Sequence, residues 1–220
     1  RPSYLCDGGE EKVDAFCQTG ALQHVIQHLG HPDSKVVQPA LRAVGNVAAG
    51  ADRHTDLVVK SGVLTHVAAC LAQTKASVRK ETMWLLSNIT AGTPEQIQAV
   101  LDAGLMPLIV GTGGQDCWDV RKEALWAVSN AAVGGSPAQL EAMANSGAIE
   151  FCVAACDNKT ETAALVALLD GLKAFLKAGQ ALENAGQENV FSRMVEEADG
   201  LTKLEALQED ANEEIYEKAV

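Results

Sequence analysis

Apolar residues in the stretch SVRKETMWLLSNITAG (77–92) fall at Val78, Met83, Leu85, Leu86 and Ile89. That spread is wider than one helical stripe and predicts a helix covered by neighbours on two sides. DVRKEALWAVSNAAVGG (119–135) repeats the pattern, and LRAVGNVAAG (41–50) is a version of its second half. Shorter apolar-periodic stretches come before each long one. PEQIQAVLDAG (94–104) reads as a helix with Pro94 in its first turn and Gly104 as its terminator. LMPLIVGTGG (105–114) and VLTHVAACLAQ (63–73) read as second helices. The long helices are predicted to stop at Gly50, Gly92 and Gly134. No run sustains period-two alternation, so the expectation is all-α with essentially no strand.

The repetition is phased. Asn46, Asn88 and Asn130 are 42 residues apart in succession, a period that marks a stacked repeat. Alignment on them divides the chain into a leader (1–9) and units at 10–50, 51–92, 93–135, 136–179 and a terminal capping unit at 180–220. Each unit reads as a short helix, a second helix and a longer third helix, stacked as a solenoid.

Trp84 lies four residues before Asn88, and Trp126 four before Asn130. On a helix those positions share a face. Glu81 and Glu123 extend each stripe by one turn. Adjacent helices pack about 8–10 Å apart, and an extended chain advances about 3.3 Å per residue, so each unit matches about two to three ligand residues. An asparagine amide can bond a ligand's backbone whatever its side chains. A tryptophan face receives the stem and charge of Lys or Arg, and a nearby carboxylate meets the charged head. The stripe Glu81, Trp84, Asn88, Glu123, Trp126, Asn130 therefore suits an extended Lys/Arg-rich peptide.

The first unit departs from this pattern: Arg42 stands at the Trp position and Pro39 at the Glu position. A cation there repels another and suits a peptide carbonyl or carboxylate, which makes Asn46 the acid-tolerant edge of the groove. In the fourth unit LDGLKAF places Asp170 at the Trp position and Ala174 at the Asn position, so the ladder is expected to end there.

Charge narrows the partners. The chain of 220 residues has a net charge of −12, which disfavours nucleic acid, whose affinity rests on Lys and Arg against phosphate. From Gln180 to Val220 there are eleven acids against three bases, so most of the excess lies in the terminal unit. No apolar run is long enough for a membrane span, and the start RPSYLCDGGEEK lacks the apolar stretch of a signal peptide. It also lacks a Met, as a fragment would. Six cysteines (6, 17, 70, 117, 152, 156) form no CxxC pair and read as reduced core residues. The sequons NIT at 88 and NKT at 158 carry no weight without secretion.

Other features are assigned no chemistry. His24, His28 and His31 lack a companion ligand set and read as solvent-facing, so no metal is expected. GTGGQD (111–116) lacks the Lys-Ser/Thr of a phosphate loop and reads as a turn. Cys152 and Cys156 read as core packing, and Trp118, outside the stripe, as packing too. No catalytic arrangement and no cofactor motif stands out.

Three helices per unit, with WxxxN then Gly closing the third, resemble the armadillo repeats of the importin alpha (karyopherin alpha) family. VRKExxWxxSNxTAG is almost intact at 78–92, and GLTKLEALQEDANEEIY (200–216) looks like that family's last repeat. The resemblance implies a right-handed superhelical solenoid that binds nuclear localisation signals in a concave groove. The order Arg/Asn, Trp/Asn, Trp/Asn resembles the family's minor site. It adds Asp52 as a carboxylate facing a basic residue, with Thr55 and Ser87 nearby. It also implies shuttling between cytoplasm and nucleus, and contacts of the C-terminal repeats with the export receptor, Ran-GTP and some nucleoporins. Without the family's basic N-terminal segment, importin beta binding and autoinhibition are not expected. The alternative is a catenin-like armadillo scaffold for another extended partner; an enzyme has no positive feature behind it.

Overall fold

The computed structural model describes residues 9–157 and 159–220. Cys6, the leader up to residue 8 and the sequon at Asn158 lie outside them. Helices follow one another in triplets. The first triplet is α1 (Glu10–Gln18), α2 (Ala21–Gln27, prolonged by a 3-10 turn at His28–Gly30) and α3 (Ser34–Ala48). Next come α4 (Asp52–Lys60), α5 (Leu64–Leu71) and α6 (Ala76–Thr90), then α7 (Pro94–Asp102), α8 (Met106–Gln115) and α9 (Trp118–Gly134). α10 (Pro137–Ala144), α11 (Ala148–Ala155) and α12 (Thr162–Asn184) follow, and α13 (Val190–Glu197), α14 (Gly200–Leu207) and α15 (Glu213–Ala219) close the chain. There is no strand among the described residues, and no single helix is long and apolar enough to cross a membrane.

The third helices form the spine. α6 lies between α3 and α9, and α9 between α6 and α12. Val78, Met83, Leu85, Leu86 and Ile89 are all fully buried, which is why their spread exceeds one stripe.

Turns and caps recur in phase. The bend between first and second helices needs a left-handed residue, supplied by Gly20, Gly62, Gly104 and Gly147 (φ between 65° and 84°) and by Asp199 (φ 63°) in the last triplet. Thr93 and Ser136 close capping boxes with Gln96 and Gln139. These glutamines also reach the preceding triplet: Gln96 Nε2 donates to the Asp52 carbonyl (3.0 Å), and Gln139 Nε2 to the Pro94 carbonyl (2.8 Å). At the same phase His54 Nε2 meets Asp14 Oδ1 at 2.6 Å.

The VRKE motif divides its labour. Arg79 donates to the carbonyls of Gln73 and Thr74 and grips Asp116, while Arg121 donates to the carbonyls of Gly113 and Gly114. Arg79 thus ties the link before its own helix, and Arg121 the last turn of the helix before it. The lysines point forward: Lys80 pairs with Asp119 (3.4 Å) and Lys122 with Glu161 (2.8 Å). The glutamates are left for the ladder face.

The last triplet is bonded on. Lys203 Nζ donates to the Val153 and Ala154 carbonyls, Phe191 meets Phe175 edge-on at 5.8 Å, and Lys218 pairs with Asp170 at 2.5 Å.

Three expectations need correction. Residues 111–115 of GTGGQD are helical, within α8. Of its glycines Gly113 serves packing: a Cβ there would lie 2.6 Å from the Ala124 Cβ and 2.9 Å from the Phe151 ring. Cys117 is exposed at the start of α9, unlike the buried Cys70, Cys152 and Cys156, and Cys17 is half-buried. Burial pushes the Cys70 thiol up to about 11 and that of Cys156 to about 12. Trp118 is 37% exposed rather than packed away.

Gly111, two residues before Gly113, has open space around its Cα. Gly111→Ala is expected to stabilise the chain by up to about 1 kcal/mol through helix propensity. Gly113→Val is expected to destabilise it by about 1–3 kcal/mol through overpacking. Denaturant titration checks both; a neutral Gly113→Val would contradict the close packing of α8 against α9 and α11.

Candidate functional site

One face of α3, α6 and α9 carries the whole predicted stripe. Asn88 Nδ2 donates to the Gly45 carbonyl (3.2 Å), and Asn130 Nδ2 to the Ser87 carbonyl (3.1 Å). Each asparagine thus gives one amide hydrogen to the preceding spine helix. An amide has a second hydrogen and an oxygen, and both residues remain half-buried. The Trp84 ring lies directly on α3: a Cβ on Gly45 would be 2.3 Å from it. Glycine at that position lets the ring seat there.

Arg42 does not wait for a peptide carboxylate. Its Nε donates to Glu81 Oε2 (2.7 Å), its Nη2 to Glu81 Oε1, and its Cζ lies 5.5 Å from the Trp84 ring centre. The sequence reading gave Arg42 a peptide carbonyl or carboxylate as partner; the structure shows it bound to a carboxylate of the facing stripe on the same chain. Glu81 is consequently closed off, its side chain only 6% exposed. Asn46, four residues along α3, is half-buried on the same face.

Glu123 is one period on from Glu81, and its surroundings differ. The residue in the Arg42 phase before it is Trp84, which brings no charge. The nearby Lys80 and Lys122 are engaged with Asp119 and Glu161. Among the described residues no hydrogen bond or ion pair reaches the Glu123 carboxylate. Desolvation by burial pushes its pKa above the ordinary glutamate value, the neighbouring Lys80 and Lys122 offsetting this in part. By phase, this carboxylate stands behind Trp84 and Trp126 as Glu81 stands behind Arg42 and Trp84.

Beyond Trp126 the face opens into a cleft of about 270 Å³ lined by Trp126, Asn130, Val133, Ala167 and Asp170. Asp170 takes the place where another Trp would continue the ladder, and Lys218 holds it from the last helix.

The remaining residues fall at the margin. Asp52 is exposed at the first turn of α4. Thr55 and Ser87 are buried, their hydroxyls donating to the Ala48 carbonyl (2.9 Å) and the Trp84 carbonyl (2.8 Å). Sequence reasoning overlooked Gly45 and Lys218. Gly45 had a signal, since it shares a 42-residue phase with Ser87; Lys218 is 48 residues from Asp170 and off the period. His24, His28 and His31 are exposed.

A glutamate whose pKa is raised on folding opposes stability above that pKa, and the opposition fades as pH falls through it. Glu123→Gln is therefore expected to raise Tm at pH 7, the gap to the parent narrowing on acidification. Thermal melts over a pH series check this. A lower Tm for the variant at pH 7 would mean that Glu123 is internally paired.

The chain matches the family model of the armadillo/beta-catenin-like repeat over residues 9–49 and that of the atypical Arm repeat over residues 189–220. It is 39% identical to importin subunit alpha-1b of Oryza sativa subsp. japonica, over 99% of this chain and 41% of that protein. It is 38% identical to importin subunit alpha-3 of Arabidopsis thaliana, over 99% of this chain and 42% of that protein. The chain therefore spans about two-fifths of the length of these two relatives. Among solved structures it is similar to a designed armadillo repeat protein in complex with the peptide (KR)4, with a TM-score of 0.87 and 28% identity. That similarity covers 99% of this chain and 87% of the other. Computationally designed armadillo repeat proteins for modular peptide recognition give a TM-score of 0.88 at 27% identity, with the same coverage.

Proposed function

We infer that this chain, an armadillo-repeat protein similar over nearly its whole length to importin alpha subunits, binds extended Lys/Arg-rich peptides of the nuclear-localisation type across α3, α6 and α9. The observation that carries the reading is Glu123: a half-buried carboxylate that no hydrogen bond or ion pair reaches among the described residues, on a stripe whose neighbouring positions are tryptophans. A ligand Lys or Arg supplies that cation. Its stem lies on the indole faces, and its head meets Glu123 in a partly dry site, where the pair is stronger than in water. Asn88 and Asn130 hold the ligand backbone with the amide groups that the inter-helix bonds leave over.

In this reading the chain is the cargo-binding part of a nuclear import adaptor that shuttles between cytoplasm and nucleus. The exposed carboxylates of the terminal triplet, Glu205, Glu209, Glu213 and Glu217, with the exposed Leu201 and Tyr216, form a second face for a basic partner protein. We assign to it the export-receptor, Ran-GTP and nucleoporin contacts implied by the resemblance.

An octapeptide with one central Lys-Arg pair is expected to bind at micromolar Kd or tighter, about −8 kcal/mol, and more weakly as salt rises. Protonation of Glu123 removes the acceptor charge, so affinity is expected to fall as pH drops through its raised pKa. Trp126→Ala is expected to weaken binding by about tenfold or more. Calorimetric titration checks all three, and equal binding of an Ala-Ala control peptide would refute the reading.

A further inference from the structure

We propose that Arg42 is a tethered ligand: it fills the cation position of the Trp84–Glu81 cup from within the chain, and so decides where on the ladder a basic peptide can sit. The proposal rests on the reading of this face as a basic-peptide site and adds its register.

Arg42 makes both contacts that a bound arginine would make. Its guanidinium lies over the Trp84 ring, 5.5 Å from the centre, inside the roughly 6 Å reach of a cation–π contact. Its Nε and Nη2 meet the two oxygens of Glu81 as a fork. The burial is lopsided: the arginine side chain is 53% exposed and the glutamate 6%. The arginine is a lid, and the carboxylate beneath it is out of water. The ring is seated on Gly45, three residues from Arg42 on α3, so one helix supplies both the floor of the cup and its occupant.

A ligand cation entering this cup would have to expel Arg42 and then only restore what was there. One period on, the corresponding position holds Trp84, and Glu123 behind it has no such occupant. Binding gain is therefore concentrated at the Glu123 cup, and a Lys or Arg of the peptide is steered there rather than to Glu81. A single exchange between equivalent positions, Arg42 for Trp84, separates a filled cup from an open one.

The test compares two octapeptides, (KR)4 and one with a single Lys-Arg pair among Gly and Ser. Fully extended, each spans about 26 Å at about 3.3 Å per residue, enough for two cups on helices about 8–10 Å apart. Arg42→Trp gives the first unit the residue the second unit has and opens the Glu81 cup. It is expected to bind (KR)4 about fivefold or more tightly than the parent, with a steeper salt dependence, and the single-pair peptide within about twofold. Arg42→Ala is expected to shift affinity in the same direction with a lower Tm, because Glu81 loses its partner. Should Arg42→Ala not fold, Arg42→Trp alone decides. If the parent binds the single-pair peptide but both folded variants bind (KR)4 no better than the parent, Arg42 is not an occupant and the proposal is overturned. If the parent binds neither peptide, the groove reading falls and the proposal with it.

Discussion

The bond from each ladder asparagine to the carbonyl of the preceding spine helix governs the rest of the structure. Asn88 to Gly45 and Asn130 to Ser87 join equivalent positions one unit apart; the first, with the Trp84 ring on Gly45, sets the register of α6 against α3, and the second that of α9 against α6. A net contribution of about 0.5–1.5 kcal/mol per bond is modest, and each bond adds a second donor to a carbonyl that already accepts a main-chain N–H, Ala49 to Gly45 and Ala91 to Ser87. The bond uses one amide hydrogen of each side chain, and on the proposed reading the other hydrogen and the oxygen serve the ligand backbone. On the proposed reading these two asparagines serve both stability and peptide binding, so replacing either by alanine is expected to disturb both. Glu123 and Trp126 are the cleaner probes of binding.

Charge is arranged around that frame. The arginines of the two VRKE motifs tie back to the residues before their helices, and the lysines reach forward to the next unit. Only the glutamates are left toward the face. Arg42 then closes Glu81 and Lys218 holds Asp170, so the chain's own cations occupy both ends of the ladder. The open carboxylate lies between them. In the proposed function the overall acidity draws basic peptides in over longer range, and selection falls to Glu123, the carboxylate that no hydrogen bond or ion pair reaches among the described residues.

Much of this was legible in the chain. The all-α class, the long third helices and the Trp/Asn stripe follow from periodicity, because a 42-residue phase and a 3.6-residue phase are both visible in a string of letters. Contacts off those phases were not. The Lys218–Asp170 pair spans 48 residues, and nothing in either segment points to the other. The helicity of GTGGQD was hidden because three glycines in a row of polar residues suggest a turn, whereas Gly113 is there to let Phe151 and Ala124 approach. The second amide ladder, Gln96 and Gln139, could have been found: TPEQ and SPAQ recur 43 residues apart as capping boxes. Arg42 was recognised as an exception, but its partner was sought in a ligand because Glu81 had already been assigned one.

The chain has three tryptophans, two on the ladder and one, Trp118, about 12 Å along α9 from Trp126. The most direct measurement is the indole N–H spectrum of the 15N-labelled chain during titration with the single-pair Lys-Arg octapeptide. The account predicts that the Trp84 and Trp126 indole signals shift along saturable curves with one common Kd, while that of Trp118 stays in place. Movement of the Trp118 signal alone, or of none at saturating peptide, would contradict a cation-binding groove on α6 and α9.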